Sequence, residues 1–233
     1  QHRCAMIGCG TSGAVRVRRL ARDAGAAIVM VVMAIGLVAA LSISLLLTSS
    51  SDVMVAAAFR NQRGGLYAAD AMIERAMIEI AAAPDWTTLT AGAAQSSFVD
   101  GPSGVRTLDD GTAIDLAEVI YMAGCHKKTA CTAADLHAVS AERPWGANNP
   151  DWRLYAHGWL RDMLPGEIES SWYVVLMVGE HPLHIGTALL IRAEAFGLRR
   201  AHTVVELETA RGGDDSDYND GIPPRLLSWR EVR

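Results

Sequence analysis

Oxygen-bearing side chains crowd one short stretch, where Asp214, Asp215, Asp217, Asn219, Asp220 and Gly221 follow one another closely. Calcium needs about six to eight oxygen ligands, and carboxylates at this spacing could supply several. Asp215, Asp217 and Asn219 match the first three ligand positions of an EF-hand loop. The match then ends, because Asp220 stands at the glycine position and Leu226 where a bidentate glutamate belongs. The plain reading is a flexible acidic loop between two strands, with a weak calcium site as its alternative. Cys125 and Cys131 bracket His126, Lys127, Lys128, Thr129 and Ala130, a spacing that forms a disulfide under oxidising conditions. A zinc site from Cys125, Cys131, His126 and His137 is the alternative, although the spacing fits no standard zinc pattern. Gly8, Gly10 and Gly13 make a GxGxxG spacing after Ala5, Met6 and Ile7. A dinucleotide-binding turn would need a strand ending in an acid about 20 residues on, and the chain offers an apolar run there instead. His157, His181, His184 and His202 accompany neither a nucleophile elbow nor a partner that sequence alone identifies. No enzyme activity, no resident metal and no cofactor is expected.

The elements that would hold these residues begin with the apolar run. From Ala24 to Leu47 no side chain is charged, and a helix of that length, roughly 36 Å, crosses a bilayer with some tilt. A buried core helix is the alternative, but soluble domains of this size rarely surround such a run on all sides. A secretory signal peptide would have an apolar region of only about 7 to 15 residues followed by a small-residue site; here the helical pattern continues beyond Thr48. Arg3, Arg16, Arg18, Arg19 and Arg22 precede the run against the single acid Asp23. The amino terminus is therefore expected in the cytoplasm, and everything after Leu47 outside the inner membrane. Cys4 and Cys9 would lie on the reducing side and Cys125 and Cys131 on the oxidising side. Removing the leader's +4 from the total of −5 leaves −9 for the remainder, which argues against nucleic acid or an anionic lipid surface as partner of the exported part. The chain begins with Gln1, and Val15 or Val17 offers an alternative start that would leave the preceding stretch as upstream sequence.

Beyond the membrane the helix is expected to continue. Phe59, Leu66, Ile73 and Ile80 recur at intervals of seven, Met77 joins the same stripe, and such spacing keeps one apolar face toward a partner. Gly64 and Gly65 weaken the helix locally and are a place for a bend, while Pro84 is its stop. Between Asp85 and Asn149 the pattern reads as loops with short elements around Ile114 to Met122. Strand signals then run from Trp152 to Trp159, Trp172 to Val178, Thr187 to Phe196, Thr203 to Thr209 and Leu226 to Val232, with Gly197 to Ala201 as a hairpin connection. The fold class is α+β: residues 1–25 a basic leader, 26–47 the transmembrane half of a long helix, 48–83 its projecting half, and 84–233 a loop-rich antiparallel β domain packed on that projecting half.

The basic leader ending in Asp23, Ala24 and Gly25 joins the apolar run from Ala26, then Arg60, Asn61 and Gln62, then the segment Leu66, Tyr67, Ala68, Ala69, Asp70 and Ala71. Together these resemble the amino-terminal region of PilX-like minor pilins over about sixty residues. The resemblance implies a prepilin peptidase cutting after Gly25 to free Ala26, and a helix that bundles into a filament core through Met30, Phe59, Leu66, Ile73, Met77 and Ile80. It implies other minor and major pilins and the inner-membrane pilus assembly platform as partners, and export to the pilus or cell surface. Pilins usually carry glutamate at the fifth mature position, which here is Met30. The K-type pseudopilin of type II secretion shares that departure, so a secretion pseudopilus subunit is the second reading and a membrane-anchored periplasmic enzyme the third.

Overall fold

The computed structural model describes residues 13–140, 150–163, 169–182, 184–212 and 224–232. The acidic stretch with Asp215, Asp217 and Asn219 lies outside the described residues, as do Cys4, Cys9, Gly8 and Gly10. Contacts divide the chain into two units, one ending at Ala57 and the other starting at Ala58.

Helix α1 runs from Gly13 to Ala82, 70 residues without a proline. Its first unit is exposed throughout from Gly25 to Ala57. Three hydroxyls there turn back on the helix: Ser42 donates to the Val38 carbonyl at 2.8 Å, Thr48 to that of Ser44 at 3.0 Å and Ser50 to that of Leu47 at 2.8 Å. Such bonds satisfy those three hydroxyls in an apolar solvent. At the other end Pro84 forbids continuation. The Ile80 carbonyl there accepts from the Ala83 N–H and the Trp86 indole N–H, and Arg211 donates to the carbonyls of Ala83 and Pro84.

In the second unit α1 is followed by a short helix α2 (Thr87–Thr90), strands β1 (Val105–Thr107) and β2 (Ala113–Asp115), and helices α3 (Leu116–Cys125) and α4 (Ala133–Ser140). The main sheet then comprises β3 (Arg153–Trp159), β4 (Tyr173–Glu180), β5 (Ala188–Gly197), β6 (Ala201–Ala210) and β7 (Arg225–Val232), with the short helix α5 (Leu160–Met163) after β3. All five strands are antiparallel and follow chain order. Residues 96–100 extend the β3 edge in parallel, through the Ser96 N–H to Tyr155, the His157 N–H to Phe98 and the Asp100 N–H to His157. The α+β class is thus a long amino-terminal helix with a carboxy-terminal antiparallel sheet packed on its second half.

Both faces of the sheet centre are covered, which explains why β4 reads as an almost unbroken apolar run rather than an alternation. One face, with Val174, Leu176, Val178, Leu189, Ile191, Ala193, Val205 and Leu207, meets Ala68, Ala69, Met72, Ile73, Ala76 and Ile80 of α1. The small α1 residues let the two backbones approach. The other face, with Tyr173, Val175, Met177 and Leu190, is covered by Leu108, Leu116, Val119, Ala123 and Trp152. Gly64 and Gly65, read from sequence as a place for a bend, lie inside α1 where Trp172 and Thr203 press against it. Close approach, not chain reversal, is what glycine permits there.

The region between Asp85 and Asn149 holds more regular structure than its composition announces. Asp115 caps α3 by accepting from the Ala117 N–H at 2.9 Å, and His126 ends it in the left-handed conformation with φ 57°. Cys125 and Cys131 are joined by a disulfide with Cα atoms 5.9 Å apart, which ties α3 to the start of α4. Those cysteines are bonded to one another, so the alternative of a zinc site built on them fails.

Candidate functional site

Among the described residues one helical stretch, Gly25–Ala82 of α1, is long and apolar enough to cross a membrane. Gly25 and Ala26 lie within α1 and are exposed, as is Met30. The remaining residues expected on an assembly helix separate into two groups. Ile73 and Ile80 are buried, and Leu66 and Met77 half-buried, against the chain's own sheet. Phe59 stays exposed, with the Arg63 guanidinium 5.1 Å above its ring. The interval of seven therefore marks mainly the sheet-facing side of α1.

The opposite side was not read from the sequence. Arg60, Arg63, Tyr67, Glu74 and Ile78 are all exposed, and at about 100° per residue they fall within one narrow arc of the helix. Tyr67 and Ile78 are 64% and 65% exposed on a helix whose other side is core. Their separation of 11 residues is about three helical turns. That signal was present in the sequence, but the interval of seven masked it.

On the sheet face turned away from α1, charges form a chain across three strands. His202 lies 2.8 Å from Glu194, Glu194 accepts from Arg192 at 2.6 Å, and Glu206 accepts from both Arg192 and Arg230. The Arg192, Glu194 and Glu206 side chains are only 11%, 5% and 5% exposed. Arg192, Glu206 and Arg230 are direct cross-strand partners, so strand register brings them together. Burial opposes ionisation of Glu194, but His202 and Arg192 outweigh it and hold the carboxyl below its ordinary value. Burial likewise works against the Arg192 charge, and Glu194 and Glu206 together raise its pKa. The Phe196 ring stacks on His202 with centroids 4.6 Å apart.

His157 and His181 each meet a partner within the fold. His157 is 2% exposed and its Nδ1 lies 3.0 Å from the Tyr173 hydroxyl; burial, with help from Arg106, lowers its pKa against Asp100. His181 meets Glu208 at 3.0 Å and its ring stands 4.9 Å from that of His184. A cavity of about 320 Å³ is lined by Ser97, Asp100, His157 and Asp162 among others, yet the Ser97 hydroxyl donates to Glu79 and the His157 ring is held by Tyr173. Among the described residues no three His, Cys, Asp or Glu side chains group to hold a metal ion. Near the disulfide, Lys127 and Thr132 bond Asp135 and hold its carboxyl at about 2. Comparison of the chain with protein-family models, curated proteins and solved structures finds no match.

Proposed function

We propose that this chain is a minor pilin-like subunit, anchored in the inner membrane by α1, that initiates or caps a type IV pilus-like filament. The observation that carries the reading is α1 itself, a single helix whose apolar first part is uncovered from Gly25 to Ala57 and whose second part forms the core of a sheet domain. A plain membrane anchor needs about 20 apolar residues and no docking on the exported domain. The exposed stripe of Tyr67, Glu74 and Ile78 supports the same reading, because it leaves a helical surface free for a neighbouring subunit. Positive charge before the run supports an amino terminus in the cytoplasm and a sheet domain in the periplasm. Cys125 and Cys131 are paired, which fits an oxidising compartment.

Met30 bears on the position in the filament. A buried carboxylate among apolar helices is costly unless its charge is paired. With methionine at that position the subunit needs no partner amine and recruits none, which suits a subunit with no neighbour ahead of it. The same residue supports a secretion pseudopilus as the second reading. Amino-terminal sequencing of the membrane-extracted protein tests processing and should begin at Ala26; an intact leader or cleavage beyond Leu47 refutes the pilin reading. Counting subunits in sheared filaments tests the initiating role. Abundance comparable to the main subunit, or unchanged filament number after deletion of the gene, refutes it.

A further inference from the structure

His157 is almost wholly buried, yet it forms part of the wall of the cavity of about 320 Å³ beside β3 and α5. Its Nδ1 is taken by the Tyr173 hydroxyl, and Tyr173 is not part of that wall. Arg106 directs a guanidinium N–H at the same hydroxyl. The phenol oxygen therefore accepts from Arg106 and sends its own proton to Nδ1, the arrangement that leaves no buried donor unused. Burial first, and then Arg106, favours the neutral ring, which is thus the tautomer with its hydrogen on Nε2. Among the described residues no protein group pairs with Nε2, and this nitrogen keeps surface that water can touch, unlike the polar atoms sealed inside the fold. A buried histidine so presents one free N–H on the side away from Tyr173.

The rest of the wall complements that donor. Asp162 on α5 is exposed and makes no hydrogen bond or ion pair among the described residues, because the nearby Arg161 is engaged by Asp109. Asp100 already faces Arg106 at 3.4 Å. Trp159, Phe98 and Met163 supply apolar surface. Gly158 keeps the space open: an added Cβ would stand 2.9 Å from Met163 Cε and 3.4 Å from Asp100 Cβ, and a glycine within a strand often marks close approach of another molecule.

From this arrangement we propose that the cavity binds a neutral polyhydroxylated ligand, one saccharide ring, through a hydroxyl that accepts from His157 Nε2 and another that donates to Asp162. Chemistry selects the class. A hydroxyl both accepts and donates, and the C–H face of a sugar ring suits the apolar side chains of the wall. An anion would meet the two carboxylates of the wall, and an ammonium group has no acceptor to offer the Nε2 hydrogen. An apolar ligand would cover that N–H without pairing it, at a cost in free energy. Size limits the ligand too, since this volume lies at the lower end for small-ligand cavities and suits one ring rather than a long chain. Neither His157 nor Asp162 belongs to α1, so the proposal holds whether or not the domain joins a filament.

Saturation-transfer NMR on the full chain, in a detergent without a sugar headgroup, tests this with methyl glucoside, methyl galactoside and methyl mannoside as probes. The expected result is transfer to at least one of them with millimolar or tighter affinity. Asp162→Ala should weaken that binding roughly tenfold by removing a hydrogen bond to a charged group. Val99→Trp should abolish it by filling the cavity from an exposed wall position. Both changes are at exposed positions, so near-ultraviolet circular dichroism should report an intact fold. Glucuronate, the anionic counterpart, should bind more weakly than the neutral sugars. No transfer to any neutral sugar, transfer that persists unchanged in both variants, or equal binding of glucuronate overturns the assignment.

Discussion

Gly65→Ala puts the packing of α1 on the sheet to a direct test, because two opposing effects of known size meet at one atom. Alanine is favoured over glycine inside a helix by about 0.8–1.0 kcal/mol. The added methyl, however, would stand 2.4 Å from the Thr203 hydroxyl, 3.0 Å from Thr203 Cβ and 2.9 Å from Trp172 Cη2. The hydroxyl could rotate away, but Thr203 Cβ is fixed by the pairing of β6 with Ala195 of β5. Trp172 has no retreat either, since Gly197 lies against the same ring and a Cβ there would come within 2.6 Å of it. Overpacking of this kind costs about 1–3 kcal/mol, and with two neighbours clamped the upper end applies. The net loss is about 2 kcal/mol, a fall in Tm of roughly 4–8 °C for a domain of this size. Gly64→Ala is the control. Its nearest neighbour is Trp172 Nε1 at 3.1 Å, so propensity and crowding nearly cancel to within about 0.5 kcal/mol. Thermal unfolding of the full chain in detergent, followed by near-ultraviolet circular dichroism, reads both. A Gly65→Ala variant as stable as the unmodified chain, or equal losses at 64 and 65, would refute the clamped-contact reasoning.

Three further outcomes are expected. Loss of the Cys125 to Cys131 disulfide by Cys131→Ser should destabilise the second unit by about 2 kcal/mol through the entropy of its short loop, and mass spectrometry without reduction should find no free thiol at either position in the unmodified protein. Burial pushes the Tyr155 and Tyr173 hydroxyls up to about 12, with Glu79 adding to the effect at Tyr155; because the folded pKa exceeds the unfolded one, their contribution is complete below about pH 10 and is lost as pH rises toward 12. Phenolate absorbance should accordingly show two late-titrating tyrosines, and their ionisation with the rest near pH 10 while the protein stays folded would count against the burial described. Glu206→Ala leaves Arg192 buried without one of its acids and should cost about 3 kcal/mol, toward the low side of the range for breaking a buried pair because Arg230 can turn to solvent; denaturant unfolding with less than 1 kcal/mol of change would contradict that role.

Patterns local to the chain were legible before any coordinates. The apolar run, the stop at Pro84 and the five strands rest on composition and alternation within short windows, and each has a physical cause that acts over a few residues. The contacts that matter for docking have no such local trace. Trp172, Gly64, Gly65, Gly197 and Thr203 are scattered over more than a hundred residues, and only the pairing of β5 with β6 on α1 brings them together. The charge chain is hidden for the same reason: Glu194, Glu206 and Arg230 look like ordinary surface residues until register aligns them. β1, α2 and α4 were missed because each is short and buries little, so their signal hardly exceeds that of the surrounding glycine, serine and threonine.

The rotation of α1 about its own axis connects these contacts to the proposed assembly role. Ala68, Ala69, Met72, Ala76 and Ile80 define the buried arc, and the exposed stripe of Tyr67, Glu74 and Ile78 lies opposite. A slip of one residue would turn the helix by about 100°, burying Glu74 or exposing Met72. Apolar contact alone would resist such a slip weakly, because alanines grip a sheet from several angles. The notch made by Gly64 and Gly65 against Trp172 and Thr203 admits no larger residue, so it fixes one rotation by shape. On this account the glycines determine which side of the helix a neighbouring subunit would meet, although neither lies on that side.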